Sequence, residues 1–147
     1  MKPIKLELMG LNSYTDKQAI DFEKLTSRGL FGIFGNTGSG KSTILDAITI
    51  ALYGDISRDT TDYINTSSDK AVVKFEFEIG SKNNRNRYFV ERTIKNTPTG
   101  GTKTTRVLLG EIKCDGNINV LADKVGEVKN KIQEIIGLTS DDFTRSV

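Results

Sequence analysis

The run Gly35-Asn36-Thr37-Gly38-Ser39-Gly40-Lys41-Ser42-Thr43 constrains this chain more than any other stretch. Its G-x-x-x-x-G-K-[ST] spacing describes a loop that wraps backbone N–H groups around phosphate oxygens. Gly35, Gly38 and Gly40 supply the backbone conformations and close approach that such wrapping needs. Lys41 is placed to reach the β- and γ-phosphates of a nucleoside triphosphate. Ser42 is placed to offer its hydroxyl to a Mg²⁺ ion that keeps most of its waters, and the helix that must follow adds the favourable end of its dipole. Both flanks suit this reading. Leu30, Phe31, Ile33 and Phe34 form an apolar run expected to be a buried strand leading into the loop. Ile44, Ile48, Ala51 and Leu52 fall on one face of a helix that Gly54 can end in a left-handed cap.

Most of the remainder reads as antiparallel sheet. Ile4, Leu6 and Leu8 alternate with Lys5 and Glu7, and Ile20 and Phe22 repeat the pattern after a polar turn, which predicts an opening antiparallel pair. Residues 55–70 are polar and aperiodic, a long loop expected at the mouth of the nucleotide site. Val73, Phe75, Phe77 and Ile79 make a half-buried strand answered by residues 88–94 across a turn at 80–86. A Thr/Gly loop over 96–103 leads to a second ribbon containing Val107 and Leu109. There Asp115-Gly116 predicts a tight type I′ turn before Ile118 and Val120. Val125, Val128, Ile132, Ile135 and Ile136 predict a last helix, capped by Asp123 and stopped by Gly137.

A length of 147 residues suits one domain with a modest core. No apolar run approaches the ~20 residues of a membrane span, and charges interrupt the N-terminus where a signal peptide would be apolar; a cytoplasmic protein without a membrane partner is expected. There is no His, and Cys114 is the single cysteine, so disulfide frameworks and imidazole sites are excluded. Cys114 is expected to be a small strand residue. Net charge is only +2, but residues 81–113 carry eight Lys/Arg against two Asp/Glu. Within that stretch Lys82, Arg85, Arg87, Lys103 and Arg106 are candidate contacts to DNA phosphates. A pair of solvated hairpins accounts for the same charges.

The carboxylates of a complete ATPase are harder to find. Such an enzyme needs an apolar strand ending in a metal-binding Asp and a group that orients the attacking water. The nearest run, Val107-Leu108-Leu109-Gly110-Glu111, lacks the Asp. Glu76 and Glu78 sit on the solvent side of their strand, and Asp46 lies beyond the first turn of its helix, where a structural role fits better. A GTPase is disfavoured, because Asp123-Lys124-Val125-Gly126 and Asn130-Lys131-Ile132-Gln133 share one predicted helix and Gln133 stands where an Asp would read guanine.

Beyond the loop, the continuation Lys41-Ser42-Thr43-Ile44-Leu45-Asp46-Ala47-Ile48 and the ending Ala51-Leu52-Tyr53-Gly54 resemble the SbcC family of bacterial DNA-repair ATPases. So do residues 6–14, the segment Asp62-Tyr63-Ile64-Asn65, and Ile136-Gly137-Leu138 leading to Phe143-Thr144-Arg145-Ser146-Val147. The resemblance implies an α/β P-loop NTPase fold of the ABC/SMC head type, with residues 1–147 as its N-terminal lobe: a RecA-like strand, loop and helix fused to an antiparallel sheet. It implies ATP and Mg²⁺ as ligands. The coiled coil and the C-terminal lobe would lie outside this fragment. Expected partners are that C-terminal lobe, a second head in a homodimer, an SbcD-type Mn²⁺-dependent nuclease, and double-stranded DNA. ATP binding and hydrolysis would then drive head engagement and control DNA-end processing. The signature Leu-Ser-Gly-Gly, the Walker B acids and the switch His are missing, and Gly100-Gly101 sits in an evident loop. No catalytic residue and negligible turnover are therefore expected of this fragment alone. Asn12 and Ser13, where relatives often carry Arg at the first position, join the loop as expected nucleotide contacts, with Asp62 and Tyr63 near the base. The competing reading is a stand-alone nucleotide- or DNA-binding module without hydrolysis.

Overall fold

Period-two alternation of apolar and polar side chains runs through β1 (Lys2–Met9) and β3 (Lys70–Ser81) and through parts of β4 (Asn84–Asn96) and β5 (Thr102–Ile112), while β2 (Gln18–Asp21) and β6 (Ile118–Ala122) are short edge strands without it. In the computed structural model, which describes residues 1–26, 32–56 and 62–146, they form one antiparallel sheet in the order β2-β1-β3-β4-β5-β6. Register is set by burial, because a slip of one residue would turn every apolar side chain to solvent. Ile20 pairs with Leu6, Leu6 with Phe75, Phe75 with Val90, Val90 with Leu109 and Leu109 with Ala122. That row crosses all six strands and, apart from half-buried Ile20, is buried throughout. Each fully buried large side chain in it contributes about 1.5–3 kcal/mol relative to exposure.

The helices α2 (Lys41–Tyr53), α3 (Val125–Ile136) and α4 (Ser140–Ser146) contribute to the same core, while the short α1 (Phe22–Leu25) follows β2 directly, its N-terminus capped by Asp21 accepting from Lys24 N at 3.2 Å. Helix α2 buries Ile44, Ala47, Ile48, Ala51 and Leu52. It ends where expected: Gly54 has φ +89° and donates to Ile50 O at 2.8 Å. Helix α3 buries Val128 and Ile132, and α4 inserts Phe143 beside Tyr53, with ring centroids 5.7 Å apart. The opposite sheet face is a lattice of charges. Glu76 pairs with Arg87 at 2.9 Å, and Glu78 with Arg85 at 3.6 Å and Lys2 at 3.9 Å. Glu76 and Glu78 are therefore surface ion-pair partners, as their place in the alternation suggests.

Several local expectations are corrected. Of the strand expected before the phosphate loop, Leu30 and Phe31 lie outside the described residues. Residues 32–36 join no sheet, and Ile33 and Phe34 are 43% and 92% exposed. A buried parallel strand needs neighbours on both sides, and the antiparallel sheet offers none. The turn at 80–86 tightens to Lys82 and Asn83, since β3 and β4 stay paired to Ser81 and Asn84. At Asp115-Gly116 the turn is not type I′. Gly116 alone takes positive φ, +84°, while Lys113 N donates to Asn117 O at 2.8 Å and Gly116 N to Lys113 O at 2.9 Å. The Asp115 carboxylate accepts from Asn117 N at 2.9 Å, which holds Asp115 out of the left-handed region and adds a residue to the loop. Cys114 is thus an exposed turn residue rather than a strand residue. Finally, Lys124 and not Asp123 is the N-cap of α3, without a side-chain hydrogen bond, and Val125 is half exposed.

Candidate nucleotide-binding site

Helix α2 begins at Gly40, whose φ of +87° places it in the left-handed region and whose lack of a side chain leaves no cap hydrogen bond. Glycine is required there twice over: a Cβ would also stand 2.8 Å from the Tyr14 ring. The Tyr14 hydroxyl donates to Gly40 O at 3.5 Å. The phosphate-loop turn is closed by Ser39 N donating to Asn36 O at 3.1 Å. Across its mouth lies Lys41 Nζ, donating to Gly35 O, to Asn36 O at 2.7 Å and to Ser39 Oγ at 3.3 Å.

A second wall comes from the turn after β1. Asn12 has φ +46°, in the left-handed region that Asn tolerates better than most residues. Its Nδ2 donates to Thr43 Oγ1 at 3.0 Å and its backbone N to Tyr63 O at 2.8 Å. Asn65 Nδ2 donates to Asn12 O, and Asn65 N donates to Gly10 O at 2.8 Å. Segment 62–65 is thereby pinned beside the loop, as expected for this part of the 55–70 stretch; residues 57–61 lie outside the described residues.

Asn12, Ser13, Thr37, Gly38, Gly40, Lys41, Ser42 and Thr43 line one open cleft of about 440 Å³, within the size range of small-molecule sites. Gly35, Asn36 and Ser39 are not among its lining residues and meet it through their hydrogen bonds from Lys41 Nζ. Asp62 is exposed. Tyr63 is buried, with its hydroxyl 2.6 Å from Thr102 Oγ1, so its backbone carbonyl is what reaches the cleft wall. Sequence reasoning missed the supporting roles of Tyr14 and Asn65. An aromatic after Asn12-Ser13 is the only signal for the former, and nothing in the sequence around Asn65, between Ile64 and Thr66, points to Asn12.

The lining presents uncapped backbone N–H groups, several hydroxyls and one ammonium, a donor set for an anion. Ser42 is exposed beside Lys41. Among the described residues no group of three or more His, Cys, Asp or Glu is gathered for a metal ion. A single hydroxyl fits Mg²⁺ held chiefly by phosphate oxygens and water.

The basic residues of the 81–113 segment separate into two groups. Lys82 lies at the β3–β4 tip, with Arg85 and Arg87 next to it on β4 and already paired with Glu78 and Glu76. Lys103 and Arg106 are exposed on β5, opposite Lys95 and Thr93. From Arg87 to Thr93, the partner of Arg106, the two groups are about 20 Å apart at their nearest, at ~3.4 Å per residue. Arg92 belongs to neither, being 1% exposed. Among the described residues no helix is long and apolar enough to cross a membrane.

Comparison with known proteins gives these features a family. Residues 5–146 match the AAA domain family. The chain is 48% identical over 148 residues to the SbcC component of the nuclease SbcCD from Clostridium acetobutylicum, and 47% identical over 150 residues to that of Bacillus subtilis. It is 34% identical over 152 residues to a probable DNA double-strand break repair Rad50 ATPase of Aquifex aeolicus. Each match covers all of this chain but only 13%, 13% and 14% of the respective relative. A glycine-built anion cleft at the head of a helix, on a sheet whose sequence follows these proteins from end to end, makes the chain a member of the AAA domain family and an SbcC-type N-terminal segment.

Proposed function

We propose that the cleft binds ATP with Mg²⁺, and that the chain is the ATP-binding part of the ATPase component of an SbcCD-type exonuclease acting in DNA double-strand-break repair. The observation that carries this reading is the convergence of Lys41, Ser42, Thr43 and the left-handed Gly40 with Asn12 and Ser13 on one cleft. Backbone N–H groups of the loop and the first turn of α2 receive the phosphates. Lys41 would exchange its hold on the loop carbonyls for phosphate oxygens, Ser42 would help hold the metal ion, and Asn12, Ser13 and segment 62–63 would border the nucleoside.

Likeness to repair ATPases over the whole chain supports this reading over a stand-alone module. In the complete protein, ATP favours engagement of two heads and hydrolysis reverses it, because the nucleotide interacts better with the engaged state. The C-terminal lobe, an SbcD-type nuclease and double-stranded DNA are the partners, and this segment alone turns over negligible ATP. Lys82, Arg85, Arg87, Lys103 and Arg106 supply sequence-independent, salt-sensitive contacts to DNA phosphates.

The test is Lys41→Ala. Each charge-assisted hydrogen bond is worth about 1.5–3 kcal/mol, so titration calorimetry should show ATP binding weakened tenfold or more. Equal affinity would remove the assignment.

A further inference from the structure

The most buried cation among the described residues, Arg92, is not at the nucleotide cleft. It stands on β4 beneath the far end of α2, 1% exposed. Its Nε donates to Ala51 O at 3.3 Å and its Nη1 to Thr104 Oγ1 at 3.3 Å, while Nη2 has no hydrogen-bond partner among the described residues. Burial pushes its pKa down to about 10, with Asp55 and Tyr63 offsetting part of the shift. A buried guanidinium without a bonded carboxylate costs stability, a cost to be set against whatever use the group has.

Its two acceptors supply one. Ala51 is in the last turn of α2, the helix whose first turn is the phosphate-binding end, and a cation suits the carbonyl end of that dipole. Thr104 lies on β5 between Lys103 and Arg106, where the ladder is irregular: Thr93 pairs with Arg106 but Ile94 with Thr104, leaving Thr105 unmatched. Tyr63 makes a second link to this strand, with its carbonyl on Asn12 and its hydroxyl on Thr102. Both hydrogen bonds are long, Nη2 is a spare donor, and β5 carries its extra residue at Thr105, beside the Arg92 partner Thr104.

We propose that Arg92 is a positioning residue that ties the phosphate-loop helix to β5, so that nucleotide at the head of α2 is felt at the strand segment carrying Lys103 and Arg106. The inference rests on the nucleotide-binding reading, and its test separates the two. Hydrogen–deuterium exchange of residues 102–106 is measured with and without saturating ATP and Mg²⁺, and calorimetry on the same samples reads binding directly. ATP should slow exchange by at least about fivefold in the wild type. Arg92→Met should lose that slowing although it binds ATP, and Arg92→Lys, which keeps the charge and one hydrogen bond, should restore part of it. Thr104→Val keeps the β-branched shape, guards against a folding defect in Arg92→Met, and should also lose the slowing. Full slowing in a nucleotide-bound Arg92→Met or Thr104→Val would overturn the tie. Absence of binding heat in the wild type would overturn the nucleotide reading and this inference with it.

Discussion

Gly54 answers to two demands at a single Cα. Its φ of +89° is costly for any residue with a side chain, and a Cβ there would stand 2.8 Å from Arg92 Nη1. The left-handed conformation costs roughly 1–2 kcal/mol for an L-residue, and the guanidinium tip, the far end of a flexible side chain, can give way at little further cost. Gly54→Ala should therefore destabilise the fold by about 1–2 kcal/mol, read as a lowered midpoint in urea. Glu7 shows a milder, pH-dependent effect. Its pKa lies below the ordinary 4.5, first because Lys5 donates to it at 2.8 Å and then through Lys17, with desolvation opposing. The Lys5 value is raised above 10.5 by the same contact, so the two partners agree in sign. Glu7's contribution is complete above pH 4.5 and is lost as the pH falls through its lower folded value. Partial exposure keeps it to about 0.5 kcal/mol. Glu7→Gln should flatten the acid limb of the stability–pH curve by that amount, measured as urea midpoints across the acid range.

At the scale of elements, α3 separates pattern from packing. Its stripe of Val125, Val128, Ile132, Ile135 and Ile136 satisfies the helical period, but Val128 and Ile132 are fully buried while Val125 is 50% exposed. Ile132→Ala should cost about 2–4 kcal/mol through lost burial and the cavity left behind. Val125→Ala should stay within about 0.5 kcal/mol. Equal losses in parallel denaturation curves would mean that α3 packs differently. The same contrast explains how much of the fold and the site is legible in the sequence. Strands β1 and β3 follow from strong alternation, α2 from an apolar run between the loop and Gly54, and the phosphate loop from spacing that has one physical purpose. What escapes is decided by long-range partners: which residue caps α3, how the Asp115 carboxylate lengthens its turn, and how Asn65 reaches Asn12 across 53 positions. The buried role of Arg92 is equally hidden, because in sequence it is one more positive charge in a basic stretch.

For the molecule as a whole, the uneven distribution of apolar surface matters most. Ile33, Phe34 and Leu45 are 43%, 92% and 48% exposed beside the phosphate loop, and Ile118 and Val120 are 59% and 56% exposed on the edge strand β6. Exposed apolar groups and unpaired edges favour association. Light scattering of this chain should show mass rising with concentration, and Phe34→Ser should reduce the rise; a strictly monomeric protein would contradict it. The uncapped start of α2 carries a different consequence. A helix whose first N–H groups lack a side-chain acceptor leaves them to water, and a phosphate group could take the water's place. If the cleft binds ATP as proposed, the nucleotide would act as an extra helix cap, and thermal stability should rise with ATP concentration. At a hundred times its dissociation constant the nucleotide adds about 2.7 kcal/mol, comparable to a buried side chain that the sequence itself does not encode.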